Sequence, residues 1–240
     1  MASLGTQADV RKNARDLSND EWNALVDAIN RLHGTGAASP AYRDFVALHV
    51  QAMSMGGMSW GVHFMPNMNM DGRNFLVWHR RFVRVFEQRL QQVHSSITMP
   101  YWDWVNDRTL PTPLNQPALL RSWSVRRNFN PSFLPSDAAL QSALAPGDFL
   151  AFQLALEKQH DQVHFAVGGR FGTMNSASSP ADPIFFLHHA NIDRLWSEWE
   201  SSHPGVQPPN PNEVLEPGEI IGNVTVASQL SITDLGYRYA

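Results

Sequence analysis

The chain has 240 residues, of which 43% are hydrophobic and 17% charged, a balance that suits a single globular domain over residues 1–240 with a sizeable buried core. A formal net charge of -4 gives no electrostatic reason to expect nucleic acid or an anionic membrane surface as partner, and small neutral substrates fit better. Cysteine is absent, which excludes disulfides, thiolate metal sites and a cysteine nucleophile, so a metal would be held chiefly by nitrogen and oxygen.

The amino-terminal stretch MASLGTQADVRKNARD lacks the apolar segment of a secretory leader, and no window approaches the roughly 20 apolar residues of a membrane span. The expectation is a soluble protein of the cytoplasm. Ser18-Asn-Asp-Glu21 has the form of a capping box, and Trp22, Leu25, Val26 and Ile29 recur behind it at helical spacing, predicting a first helix that ends near Gly34. Ser39 and Pro40 read as the N-cap and first residue of a second helix, whose stripe of Tyr42, Phe45, Val46, His49 and Met53 turns His49 inward. A Gly/Met-rich loop follows over about 54–73, and its methionines read as packing residues. In NFLVWHRRFVRVFEQRLQQV, Phe75, Trp78, His79, Phe82, Phe86, Leu90 and Val93 share one helical face and the arginines lie on the other.

Residues 100–146 are rich in proline and aromatics with little periodicity, and read as a long structured excursion beside the core, of the kind that builds a site entrance. Helix signals resume after Pro146-Gly147: Phe149, Phe152, Leu156, His160, Val163, His164 and Val167 form a stripe that stops at Gly168-Gly169. Asp182-Pro183 caps a last long helix running to about Glu200. Beyond the proline-rich residues 204–217, EIIGNVTVASQL alternates as a strand or two, and Asn223-Val-Thr225 has the form of a glycosylation acceptor.

His160 and His164, spaced i and i+4, project from one helical face about a turn apart, close enough to share an ion. Four predicted helices carry inward histidines, which suggests a mainly α fold: a four-helix bundle enclosing a metal site, with long loops and minor β elements. The inward metal-capable groups are nearly all imidazoles, and all-nitrogen shells suit copper or zinc better than magnesium, calcium or a carboxylate-bridged iron pair. One shell would serve a zinc hydrolase, whereas two adjacent three-histidine shells suit a copper pair. His33, near a helix end, reads as favourable to the helix dipole, and His94 and His203 as solvated.

MPYWDW at Met99 to Trp104, FLVWHRRF, LEKQHDQVHFAVGG and SPADPIFFLHHANIDRLW resemble the signatures of the type 3 copper family, which contains tyrosinases, catechol oxidases, o-aminophenol oxidases and molluscan hemocyanins. The resemblance runs from about His49 to Tyr237-Arg-Tyr239, which is similar to the tyrosine pair closing the family's central domain. It implies a dinuclear centre of two copper ions. His160 and His164 match the first two ligands of one copper, and His189, the second residue of the His-His pair, matches the third. For the other copper, His79 and His49 match. The family's usual position for the middle ligand falls here on Met70, so His63, the nearest upstream histidine, is assigned with FMPNMNMDG as an inserted loop; thioether ligation by Met68 or Met70 is the alternative.

By the same resemblance Glu157 matches a water-holding glutamate. The residue after the first downstream ligand, asparagine in strong monophenolases, is Asp161 here, so two carboxylates would share the catalytic acid–base work. Asn191 and Asp193 are candidates to support the ligating imidazoles, residues 174–178 to gate the pocket, and Phe165 to set its polarity. The implied function is a tyrosinase, which uses dioxygen to hydroxylate monophenols and oxidise o-diphenols to o-quinones. A catechol or o-aminophenol oxidase and a hemocyanin-like oxygen carrier are the alternatives. The expected partners are dioxygen and small phenols, with room for a separate copper-delivery protein. With no shielding domain after the tyrosine pair, the expected enzyme needs no proteolytic activation.

Overall fold

The computed structural model describes residues 9–54, 62–65, 67 and 70–240. Strand β1 is Asp9–Arg11, followed by helix α1, Asn19–His33. The capping box forms as its residues predict: Ser18 Oγ accepts from the Glu21 N–H and Glu21 Oε2 from the Ser18 N–H, at 3.3 and 2.8 Å. Helix α2, Tyr42–Ser54, starts later than the Ser39-Pro40 signal predicts. Its first turn is closed instead by Asp44, whose carboxylate accepts from the Ala41 N–H at 2.7 Å.

The inserted segment folds back on itself as a short antiparallel pair, β2 (Phe64–Met65) with β3 (Met70–Asp71). Helix α3, Phe75–Gln91, follows at once. Residues 100–146 contain two short helices, α4 (Pro117–Ser122) and α5 (Asp137–Leu144), and lead into α6, Phe149–Gly168. Asp148 caps α6 by accepting from the Ala151 N–H at 2.9 Å, and Gly169, at φ +58°, ends it. Helix α7 is Ile184–Ser202, its first turn held by Asp182 Oδ1 on the Ile184 N–H at 3.0 Å. The predicted strands after residue 217 do not form: Gly218 and Gly222, the latter at φ +82°, keep the segment turning, and only an isolated bridge pairs Val214 with Thr225. Strand β4, Tyr237–Tyr239, then runs parallel to β1.

Helices α2, α3, α6 and α7 enclose the centre, and one apolar cluster reaches from Ala14 to Val226. Phe86 of α3 stacks on Phe186 of α7 at 3.6 Å, and Phe152 of α6 on Trp199 of α7 at 4.1 Å. Each such buried ring contributes about 1.5–3 kcal/mol of transfer free energy, which fixes the helices against one another. Among the described residues no helix is long and apolar enough to cross a membrane.

The second face of α3 is not a solvent face. Arg80 and Arg84 are buried, because that side of the helix meets α7 and the β1–β4 pair. Arg80 Nε donates to Asp193 Oδ1 at 2.5 Å, and its guanidinium lies 3.4 Å over the Trp196 ring. Arg11 of β1 donates to Glu87 at 2.7 Å and to Asp193 at 3.2 Å, while the hydroxyls of Tyr237 and Tyr239 donate to Asp193 Oδ2 at 2.6 and 2.5 Å. A buried charge is tolerated when partners saturate it, as they do for Arg11, Arg80 and Asp193.

Candidate metal centre

Each element delivers histidines to one place. His49 comes from α2, His79 from α3, His160 and His164 from α6, His188 and His189 from α7, and His63 from the residue ahead of β2. They fall into two sets, His49, His63 and His79, and His160, His164, His188 and His189. Within each set one ligand atom per residue lies within 4.8 Å of the others, and all seven are buried. The sets adjoin: the rings of His79 and His189 stack at 4.1 Å with 10° between planes.

The two nitrogens of these rings have different fates. Nδ1 of His49 meets Ala177 O at 2.7 Å, that of His79 meets Phe75 O at 2.8 Å, and that of His164 meets Met174 O at 2.5 Å. Nδ1 of His63 meets Glu157 Oε1 at 3.2 Å, and that of His160 meets Asp161 Oδ1 at 3.0 Å. A carbonyl or carboxylate accepts only from an N–H, so all five rings carry their proton on Nδ1 and present a bare Nε2. Those Nε2 atoms of His49, His63, His79 and His164 are buried without a partner, and those of His160 and His189 face each other at 3.2 Å. Five bare inward nitrogens on rings pinned through Nδ1, with the Nε2 of His189 facing one of them, fit a cation shell.

Burial also favours the neutral form of five of the rings, as ligation requires. It lowers His49 to about 3 and His164 to about 4, and holds His79, His160 and His189 well below the usual histidine value, neighbouring imidazoles adding to the effect.

His188 differs from its neighbour. Trp104 Nε1 donates to its Nδ1 at 3.1 Å, so the proton sits on Nε2, the wrong tautomer for ligation through that atom. The adjacent histidines of α7 are thus distinguished by a tryptophan from the 100–146 excursion, a contact that helical periodicity does not reveal. Nδ1 of His189 is buried without a partner.

Glu157 and Asp161 each accept from an imidazole, one in either set. Glu157 Oε1 also takes the Phe64 N–H at 2.9 Å, while its Oε2 is buried and unpaired. Burial pushes the Glu157 carboxyl up, against the opposing pull of His63 and the Phe64 amide. A cavity of about 460 Å³ opens over the histidines, with Phe64, Met65, Glu157, Asp161 and residues 174–177 around it.

Several expectations change. The mouth is formed by β2 and residues 174–177, and the 100–146 excursion lines none of it; it packs instead behind α7, where the Trp102 N–H bonds Leu187 O at 3.1 Å. Phe165 turns away to meet Phe133 edge-on at 5.1 Å. Asn191 accepts from Arg194 and Asp193 serves the arginine–tyrosine network, so neither supports an imidazole. His33 is neutral, lowered to about 4 by burial and stacked on Tyr42 at 3.9 Å, so it brings no charge to the helix dipole. His94 bonds Asp27 at 2.7 Å, and His203 stacks on Trp199 at 4.4 Å, so neither is simply solvated. Met68 lies outside the described residues.

A helical bundle around two adjoining histidine sets, each of which could hold a metal ion, has the architecture of a metal-binding protein. The sequence pattern of the common central domain of tyrosinase matches residues 39–140 and 135–202. The tyrosinase of Streptomyces glaucescens is 33% identical over 242 aligned positions, covering 82% of this chain and 84% of its own. Among solved structures, a functional unit of octopus hemocyanin superposes with a TM-score of 0.78 at 24% identity, over 97% of this chain and 68% of that one. A polyphenol oxidase from Thermothelomyces thermophila gives 0.72 at 19%, over 97% and 88%. The chain belongs to the tyrosinase family. Membership makes it an enzyme of the tyrosinase and polyphenol oxidase type, implies copper as the metal, and implies oxygen and phenols as the reactants.

Proposed function

We propose that the chain is a single-domain dicopper phenol oxidase in which His49, His63 and His79 hold one copper and His160, His164 and His189 the other. The observation that carries this reading is the set of six inward Nε2 atoms, five of them on rings pinned through Nδ1. A copper pair held there supplies dioxygen binding and accepts the two electrons that an o-diphenol gives up in becoming an o-quinone.

The protein's own groups do the rest. Backbone carbonyls and two carboxylates fix the imidazoles before any metal arrives, so little reorganisation accompanies loading. A phenol, with a pKa near 10, must lose its proton as it reaches the metals. Glu157 Oε2, buried and free of partners beside the cavity, is the acceptor, directly or through one water, and Asp161 keeps His160 in its ligating tautomer. Hydroxylation of monophenols and oxidation of o-diphenols both belong to this reading. The open mouth, with exposed Phe64 and Asp161, favours turnover of a ring-sized substrate over reversible oxygen carriage.

Metal analysis should find two coppers per chain, and oxygen uptake should follow addition of tyramine as well as catechol. Reversible oxygen binding with no quinone would point to a carrier, and zinc in place of copper would refute the oxidase.

A further inference from the structure

The cavity above the histidines has two kinds of wall. Asp161 and Asn175 belong to a polar side drawn from α6 and the segment that follows it, whereas α2 and β2 contribute Met53, Phe64 and Met65. Met53 lies one helical turn past His49, so its thioether shares the face of that ligand. Met65 lies two residues past His63, and strand alternation turns it to the same side as that ring. The buried Met174 adds a third thioether to the lining.

Phe64 is 47% exposed, a large apolar ring left in water at the cavity. Its backbone is held on two sides. The Phe64 N–H donates to Glu157 Oε1 at 2.9 Å, and Gly72, just past β3, packs so closely that a Cβ there would stand 2.7 Å from the Phe64 nitrogen. An apolar surface fixed in place before binding costs little further ordering when a ligand covers it.

The cavity volume of about 460 Å³ lies in the range of sites that enclose drug-sized molecules, so a single phenol set over the histidines leaves much of it to water. The chemistry of the apolar wall indicates what fits that remaining space. Sulfur packs favourably against aromatic rings, and rings pair edge-to-face or offset, so three thioethers and a phenyl group suit another aromatic ring.

We infer that Met53, Phe64, Met65 and Met174 form a subsite for a second aromatic ring, which makes phenols with an aryl substituent better substrates than single-ring phenols, with Phe64 and Met65 as the specificity-determining residues. This rests on the phenol oxidase reading and names the substrate class of that site. The second ring stays away from the reacting atoms, so its contacts are the same in ground state and transition state and act through KM with kcat nearly constant. A ring half covered by the wall gains about half the transfer free energy of a fully buried phenylalanine side chain, roughly a 4–10-fold gain in binding.

The test takes copper-loaded protein with 4-methylcatechol, 4-(2-phenylethyl)catechol and 4-(2-cyclohexylethyl)catechol. kcat/KM for the phenylethyl compound is expected to exceed that for 4-methylcatechol about 4–10-fold, through KM. The cyclohexyl compound should trail the phenylethyl one about 2-fold although it is the more apolar, because it lacks the ring quadrupole. Phe64→Ala and Met65→Gln should each cut the phenylethyl-to-methyl ratio about 2–4-fold, whereas Phe64→Tyr and Met65→Leu should keep most of it. Both residues reach solvent, so copper content and denaturant midpoint should stay near native values in all four variants. 4-(2-Phenylethyl)benzoate should compete more tightly than 4-methylbenzoate by a similar factor, in a readout that involves no oxidation. A native phenylethyl-to-methyl ratio near one, a ratio unmoved by both Phe64→Ala and Met65→Gln, or a cyclohexyl compound equal to the phenylethyl one overturns the inference while leaving the oxidase intact. Failure to oxidise any of the three catechols overturns the oxidase reading, and this inference with it.

Discussion

The two halves of the histidine cage are held by different means. Downstream, His160, His164 and His189 stand on α6 and α7, which are locked together by stacked rings such as Phe152 on Trp199. Upstream, His49 and His79 stand on helices, but His63 precedes a two-residue strand and is held across the cavity by Glu157 of α6. A helical ligand inherits its position from the ladder of backbone hydrogen bonds. A loop ligand inherits it from whatever its ring touches. The downstream half is therefore preorganised by the fold, and the upstream half depends on one carboxylate for its third ligand, His63.

Removing a helix-borne ligand should have the largest effect. His164→Ala is expected to cut copper from two ions per chain to one and to drop oxygen uptake to background; a variant that keeps both ions would take His164 out of the cage. The next largest effect tests whether α7 needs its charge network. Asp193→Asn leaves Arg80 and Arg11 underpaired in the interior and should destabilise the fold by about 3–5 kcal/mol, read from denaturant midpoints.

Burial pushes Asp193 up, but Arg80, Arg11 and the two tyrosine hydroxyls together hold it below the usual aspartate value of 3.8. Its contribution is whole above that value and is lost as pH falls through the lower folded value. The variant should accordingly lose less stability than the native chain on acidification below about pH 4.

The upstream half is sharpened by Glu157→Gln, which keeps the shape but weakens the anchor of His63. We expect copper affinity to fall about 10–100-fold at the upstream ion alone, followed by chelator titration, with that ion leaving first even in the native protein. Simultaneous release of both ions would erase the contrast between halves. The smallest effect belongs to Trp104→Phe, which leaves His188 Nδ1 unpaired at about 1–3 kcal/mol of stability. Because it also frees His188 to change tautomer, the variant should show altered downstream copper spectra, and unchanged spectra would confine Trp104 to packing.

Much of this was readable in the chain because helical periodicity and ligand spacing are local. The stripes through His49, His79 and His160 follow from three to four residue intervals, and the capping box at Ser18 from four consecutive residues. What was not readable is mostly long-range. Arg80 and Arg84 sit on the polar side of an amphipathic pattern, and nothing local announces that β1 and β4 will cover that side. Asp193 lies one turn past His189, so spacing invites it to support the imidazole; its partners come from residues 11, 80, 237 and 239 instead. The resemblance separates His189 from His188, but the physical reason is Trp104, which sits 84 positions before His188 in the chain. Of the two segments expected at the mouth, residues 174–177 line it and the long irregular stretch does not; β2, which adjoins the ligand His63, takes its place.

The parallel pairing of Asp9–Arg11 with Tyr237–Tyr239 has a mechanical consequence. Tension applied through residues before Asp9 and after Tyr239 would load these strands in shear, so their hydrogen bonds must fail together instead of unzipping one by one. Arg11, Tyr237 and Tyr239 reach from the strands to α3 and α7, and so add side-chain rivets to the same joint. The helices that carry His79 and His189 would thus feel a pull only after the clasp had given way.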